Sequence, residues 1–266
     1  MITTLVSLTL GILVGLVMGL TGAGGGSIAV PALVAGLGWS MQQAMPVALL
    51  AVTGGAALGA VEGWRKKLVR YRAAAVMALA GMPFTTLGVR AAHLLSQQWL
   101  MTVFAVVLLI ISFRLFRQNH ASEGDQHKHA VCHINAETGR FDWTWSSGLI
   151  IGMIGGVAGF STGLLGVGGG FVIVPMLRRY TNVSMHGAVA TSLLVIALVG
   201  AAAVASALLH GASIPLAFTV PFVLATAVGM LAGRLFARRL SAQSIQRGFA
   251  AMLVLVAAAL LQKAIM

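Results

Sequence analysis

The sequence predicts an all-α polytopic membrane protein, with about eight transmembrane helices in two tandem four-helix repeats. Each repeat carries a Gly-rich broken or re-entrant half-helix. Three observations predict this. Of 266 residues, 59% are hydrophobic and 8% charged, against about 25% charged in an ordinary soluble domain. Eight apolar runs approach the roughly 20 residues that cross a hydrocarbon core. One glycine-rich motif also occurs twice, in register with further identities.

The runs are 3–20, 43–62, 73–92, 99–117, 146–166, 187–209, 214–236 and 246–264. Two shorter apolar stretches, 27–38 and 171–180, follow the first and fifth runs. They are too short to span at about 1.5 Å rise per residue, and their length suits half-helices. The polar segment 118–145 holds four of the five carboxylates and four histidines, His120, His127, His129 and His133. It reads as a solvated linker between a first transmembrane repeat, 1–117, and a second, 146–266.

The repeats align at a constant offset. Gly22, Gly24, Gly25, Gly26 and Pro31 fall on Gly166, Gly168, Gly169, Gly170 and Pro175, each 144 residues on. Leu49 and Leu50 fall on Leu193 and Leu194. After one inserted residue the offset is 145, placing Gly88 on Gly233 and Phe104 on Phe249. Four spans per unit is an even number, so the copies are expected to share one orientation about an axis along the membrane normal. A half-helix that truly crossed would invert them instead. With eight spans the basic residues divide ten to seven, leaning toward cytoplasmic termini.

The net charge is +12. Most basic residues lie in gaps between apolar runs, where anionic headgroups and the positive-inside rule place them, so the pattern argues for membrane lipid and against nucleic acid. A lone cysteine, Cys132, rules out an internal disulfide. The first 18 residues lack a basic leader and read as a retained first helix.

Non-helical backbone at membrane depth persists only where protein covers it or where it lines a cavity. Glycine permits positive φ and close approach. Successive N–H groups in such turns make anion nests, and a helix starting there adds the positive end of its dipole. Gly24, Gly25, Gly26, Gly168, Gly169 and Gly170 are therefore candidate substrate-binding residues for a small anion. Close helix packing also uses glycine. It accounts for Gly11, Gly15, Gly19, Gly155, Gly159 and Gly163 in small-xxx-small runs, whereas packing alone is not expected to need three in a row.

The paired motifs at 22–31 and 166–175, with Ala190-Thr-Ser-Leu-Leu194, resemble the sulfite exporter TauE/SafE family across nearly the whole chain. The resemblance implies a multi-pass transporter of the bacterial inner membrane. It would carry sulfite or an organosulfonate, generally in the export direction. Thr191 and Ser192 join the candidate binding residues, since hydroxyls donate to sulfite-like oxygens without fixed charge. The first half has Pro46-Val47-Ala48 there, so that contact is one-sided.

For proton coupling the candidates are Glu62, the one carboxylate outside the linker, and His186. Glu62 is also spaced to pair with Arg65 or Lys66 on its own helix. Arg178 and Arg179 are placed to stabilise the end of the second half-helix. The linker histidines with Cys132 lack standard metal-site spacing. No cofactor or metal is expected. Enzyme chemistry is disfavoured because the spans supply almost no acid, base or nucleophile. An anion channel built on the same half-helix site is the alternative.

Overall fold

The computed structural model describes residues 2–22, 25–117, 144–181, 183–212, 214–237 and 241–265. Among these it is all-helical: α1 Ile2–Thr21, α2 Gly26–Leu37, α3 Met41–Arg65, α4 Tyr71–Leu94, α5 Gln97–Arg117, α6 Trp145–Leu165, α7 Gly170–Tyr180, α8 Met185–Leu209, α9 Leu216–Ala237 and α10 Ala242–Ile265. Eight are long and apolar enough to cross a membrane. The other two are α2 and α7, of 12 and 11 residues. Side-chain caps set several boundaries. Ser40 and Gln43 close a capping box on α3, and Thr144 and Ser147 one on α6. The linker carboxylates and histidines, and Cys132, lie outside the described residues.

The most extensive contacts join α1 to α9, α4 to α6, α3 to α8 and α5 to α10. Small residues permit the closest of them. A Cβ added to Gly11, Gly15 or Gly19 would meet the α9 backbone, and one added to Gly155, Gly159 or Gly163 the α4 backbone. The contacts are reciprocal. Gly15 faces Thr226 while Gly159, 144 on, faces Gly81, which is 145 before Thr226. Gly19 lies against Arg234 and Gly163 against Val89 at the same spacings.

Helix directions follow from these pairs. Gly11, Gly15 and Gly19 climb α9 in step with it, so α1 and α9 run in the same direction, and α4 and α6 do likewise. By contrast Leu49, Thr53, Gly59 and Gly63 of α3 meet Ala203, Gly200, Leu193 and Ala190 of α8, an antiparallel pair. α5 and α10 are antiparallel too, since Ser112 bonds Ala250 and Gln246 bonds Leu115. Corresponding helices of the two halves therefore run in opposite directions, contrary to the shared orientation expected from an even span count. The reason lies in the short helices. α2 carries the chain back alongside α1 (Gly25 by Met18, Gly36 by Leu10), so α1 and α3 run the same way and each half holds an odd number of membrane segments.

This also redraws the charge map. One face gathers Arg65, Lys66, Lys67, Arg70, Arg72, Arg114, Arg117, Arg178, Arg179, Arg234 and Arg247. The other, where Ile2 and Ile265 lie, has Arg90 and Lys263 among the described residues. The ten-to-seven division does not hold, because a segment that returns the chain reverses the side of everything between it and its counterpart. We refer to these as the basic face and the terminal face.

Candidate functional site

In the first glycine loop α1 ends at Thr21, Gly22 adopts φ 79°, and α2 starts behind Gly25 in right-handed backbone. In the second, Gly166, Gly168 and Gly169 all take positive φ (71°, 80° and 66°), and α7 starts at the buried Gly170. Gly24 lies outside the described residues.

The loops come together. A Cβ on Gly26 would fall on the Val167 carbonyl oxygen. One on Gly168 would lie 3.0 Å from both Val52 Cγ1 and Ile196 Cγ2. Val52 and Ile196 sit near the midpoints of α3 and α8, and they are 144 residues apart. Both half-helices thus begin at the crossing of α3 and α8, at mid-depth, and run toward opposite faces. Val172 and Ile173 donate back to the Gly169 carbonyl at 3.0 and 3.1 Å, and Ile28 to Gly25 at 3.2 Å. The amides before them are first-turn groups with no acceptor inside their own helix. Two positive helix ends converge on one buried point, an arrangement that favours a negative guest.

Gly22, Gly25, Gly26, Gly166, Gly168 and Gly169 each have a steric reason to be glycine. Gly25 packs on the Met18 backbone, and Gly169 would bring a Cβ 2.7 Å from the Ala158 carbonyl oxygen. Packing does use glycines in a row here, because a loop pressed against both a helix and a second loop meets backbone on several sides. Sequence reasoning missed Val52, Ile196 and Val167, which carry no chemical signal. The 144-residue offset applied to the helix after each loop would have found the first two.

The hydroxyl candidates are already engaged. Thr191 Oγ1 accepts from the Arg70 N–H at 3.0 Å, tying α8 to the turn between α3 and α4. Ser192 Oγ donates to the Val189 carbonyl at 2.9 Å within its own helix, and Val189 is the residue that Gly22 packs against. Both are buried, about a third of the way along α8 on the basic-face side of the loop contact.

Glu62 pairs with Lys66 at 2.6 Å, the spacing expected from sequence, and also with Arg234 of α9, which sequence reasoning did not connect to it. His186 is exposed in the first turn of α8. On the terminal face the His93 and His210 rings stack 6.5 Å apart. Each half-helix ends beside a cation. Arg178 and Arg179 lie in the last turn of α7, and Lys263 Nζ donates to the Val34 carbonyl of α2 at 2.9 Å.

The sulfite exporter TauE/SafE family model matches residues 7–260. Two proteins, each described as a "probable membrane transporter protein", are also similar. One, from Xylella fastidiosa (strain Temecula1 / ATCC 700964), is 27% identical over 95% of this chain and 93% of its own. The other, from Xylella fastidiosa (strain 9a5c), is 28% identical over 74% of this chain and 70% of its own. No solved structure matches the chain.

Proposed function

The chain belongs to the sulfite exporter TauE/SafE family and is a membrane transporter, and we propose that it exports a small sulfur-containing anion, sulfite or an organosulfonate. The observation that carries this reading is the meeting of the two glycine loops at the α3–α8 crossing. The anion binds where the loops meet, held by first-turn N–H groups of α2 and α7 and by both helix dipoles. Gly24, Gly25, Gly26, Gly168, Gly169 and Gly170 let backbone, in place of a cationic side chain, do the binding. Thr191 and Ser192 contribute by fixing the α8 segment that loop one packs on, and direct contact with the anion requires their hydroxyls to turn from present partners.

Reciprocal contacts and reversed helix directions support reading the halves as inverted copies of one unit, 1–117 and 146–266 about the linker 118–145. Inverted copies give two faces that exchange conformation by rocking about a central site. Under the positive-inside rule the basic face is cytoplasmic in the bacterial inner membrane. Eleven described basic residues there concentrate anions where an exporter collects them.

Uptake of radiolabelled sulfite into proteoliposomes tests the reading, with sulfate, taurine and sulfoacetate as competitors. Saturable sulfite flux blocked by competing sulfonates is expected. Unsaturable conductance would replace the carrier by a channel, and absence of flux for all these anions would remove the substrate class.

A further inference from the structure

The two faces are built on the same contacts but closed by different chemistry. At the basic face Glu62 of α3 bridges Lys66 and Arg234, and Arg234 belongs to α9. Glu62 is the one carboxylate among the described residues. Arg234 reaches it across Gly59, where an added Cβ would strike the Arg234 guanidinium. The 144 and 145 offsets locate the matching positions at the terminal face. The Gly59–Leu193 contact matches the Leu49–Ala203 contact, and Gly19–Arg234 matches Gly163–Val89. Glu62 then corresponds to Ser206, Arg234 to Val89, and Gly59 to Ala203.

At the terminal face the passage over glycine is filled by a methyl, and the guanidinium is replaced by a buried isopropyl group. The carboxylate is replaced by Ser206, whose Oγ is buried with no hydrogen-bond partner. A buried hydroxyl without a partner is destabilising, and the cost is relieved when water or a polar group reaches it. One face is fastened by a carboxylate held between two cations. The other is held by apolar packing around a polar group that gains from being opened.

We infer that Glu62 and Arg234 are the latch of the basic face: they hold α3 to α9 there, and their separation admits the substrate to the central site. This rests on the transporter reading, but its test needs no substrate. The latch makes opening at the terminal face the easier of the two motions in the absence of anion. Arg234 and Glu62 act through helix position, without touching the bound anion.

The test uses the full chain in liposomes with Cys132→Ser and one of two reporters, each now buried. Leu193→Cys lies beside Gly59 under the latch, and Leu49→Cys occupies the matching place at the terminal face. Maleimide labelling is followed with no sulfite present. Glu62→Gln and Arg234→Met are each expected to speed labelling at the Leu193→Cys reporter about tenfold and to leave the Leu49→Cys reporter unchanged or slower. The exchanged pair Glu62→Arg with Arg234→Glu is expected to restore slow labelling. Unchanged protection at Leu193→Cys would overturn the latch. So would a rise at both reporters, which marks general loosening, or a failure of the exchanged pair to restore protection. Sulfite flux measured separately on the unsubstituted chain reports on the transporter reading whatever the labelling shows.

Discussion

The two glycine loops reach the same crossing by different backbones. Loop two turns through three residues at positive φ and enters α7 from a left-handed Gly169, whereas Gly25 enters α2 from right-handed backbone. Nearly identical motifs thus meet different local demands. In loop two both conformation and space exclude a side chain, and in loop one, at Gly25 and Gly26, space alone does. The common feature is contact with the opposite half, since Gly26 meets Val167 and Gly168 meets Val52. Closeness is thus the first demand on these glycines, and the proposed anion site would use the bare backbone that closeness requires.

Substitutions can break or sharpen this comparison. Gly26→Val should have the largest effect, because its side chain would fall on the Val167 carbonyl where the loops touch. Complete loss of saturable flux is expected in a quantified proteoliposome assay. Gly148→Ala, where a Cβ meets nothing within 4 Å, should leave flux unchanged. Gly168→Ala comes next. It combines left-handed strain of about 1–2 kcal/mol with 3.0 Å contacts to two methyl groups. Adding Val52→Ala should recover part of the lost thermal stability, but not the strain. Full recovery would mean that space alone matters in loop two as well.

Smaller effects separate the hydroxyls. Thr191→Val removes the acceptor of the Arg70 N–H and should cost about 1–3 kcal/mol in unfolding measurements. Ser192→Ala removes only a bond within its own helix and should cost less than about 1 kcal/mol. A raised KM with unchanged stability for either variant would assign that hydroxyl to the anion. Lys66→Met should be smallest, below about 1 kcal/mol, because its pair with Glu62 is substantially exposed. Losing Arg234 should exceed it.

The span count and the half-helix lengths were legible in the sequence, because apolar run length is dictated by bilayer thickness. Helix direction was not. The side on which Arg178 or Arg234 lies depends on whether twelve residues between Gly26 and Leu37 return the chain, and length alone does not decide that. The candidate glycines were visible as a repeated pattern, but the point where they converge is marked by Val52 and Ile196, which look like any core residue. Arg234 as partner of Glu62 was hidden by 172 residues of separation, while Lys66, four residues away, was evident from helical spacing.

The most direct test of the central claim, one anion shared by both loops, is backbone hydrogen exchange of the full chain in nanodiscs with and without saturating sulfite. Slower exchange in peptides covering 25–28 and 168–171 together is the expected result. Protection confined to one loop, or absent from both while sulfite flux remains saturable, would place the anion elsewhere and contradict it.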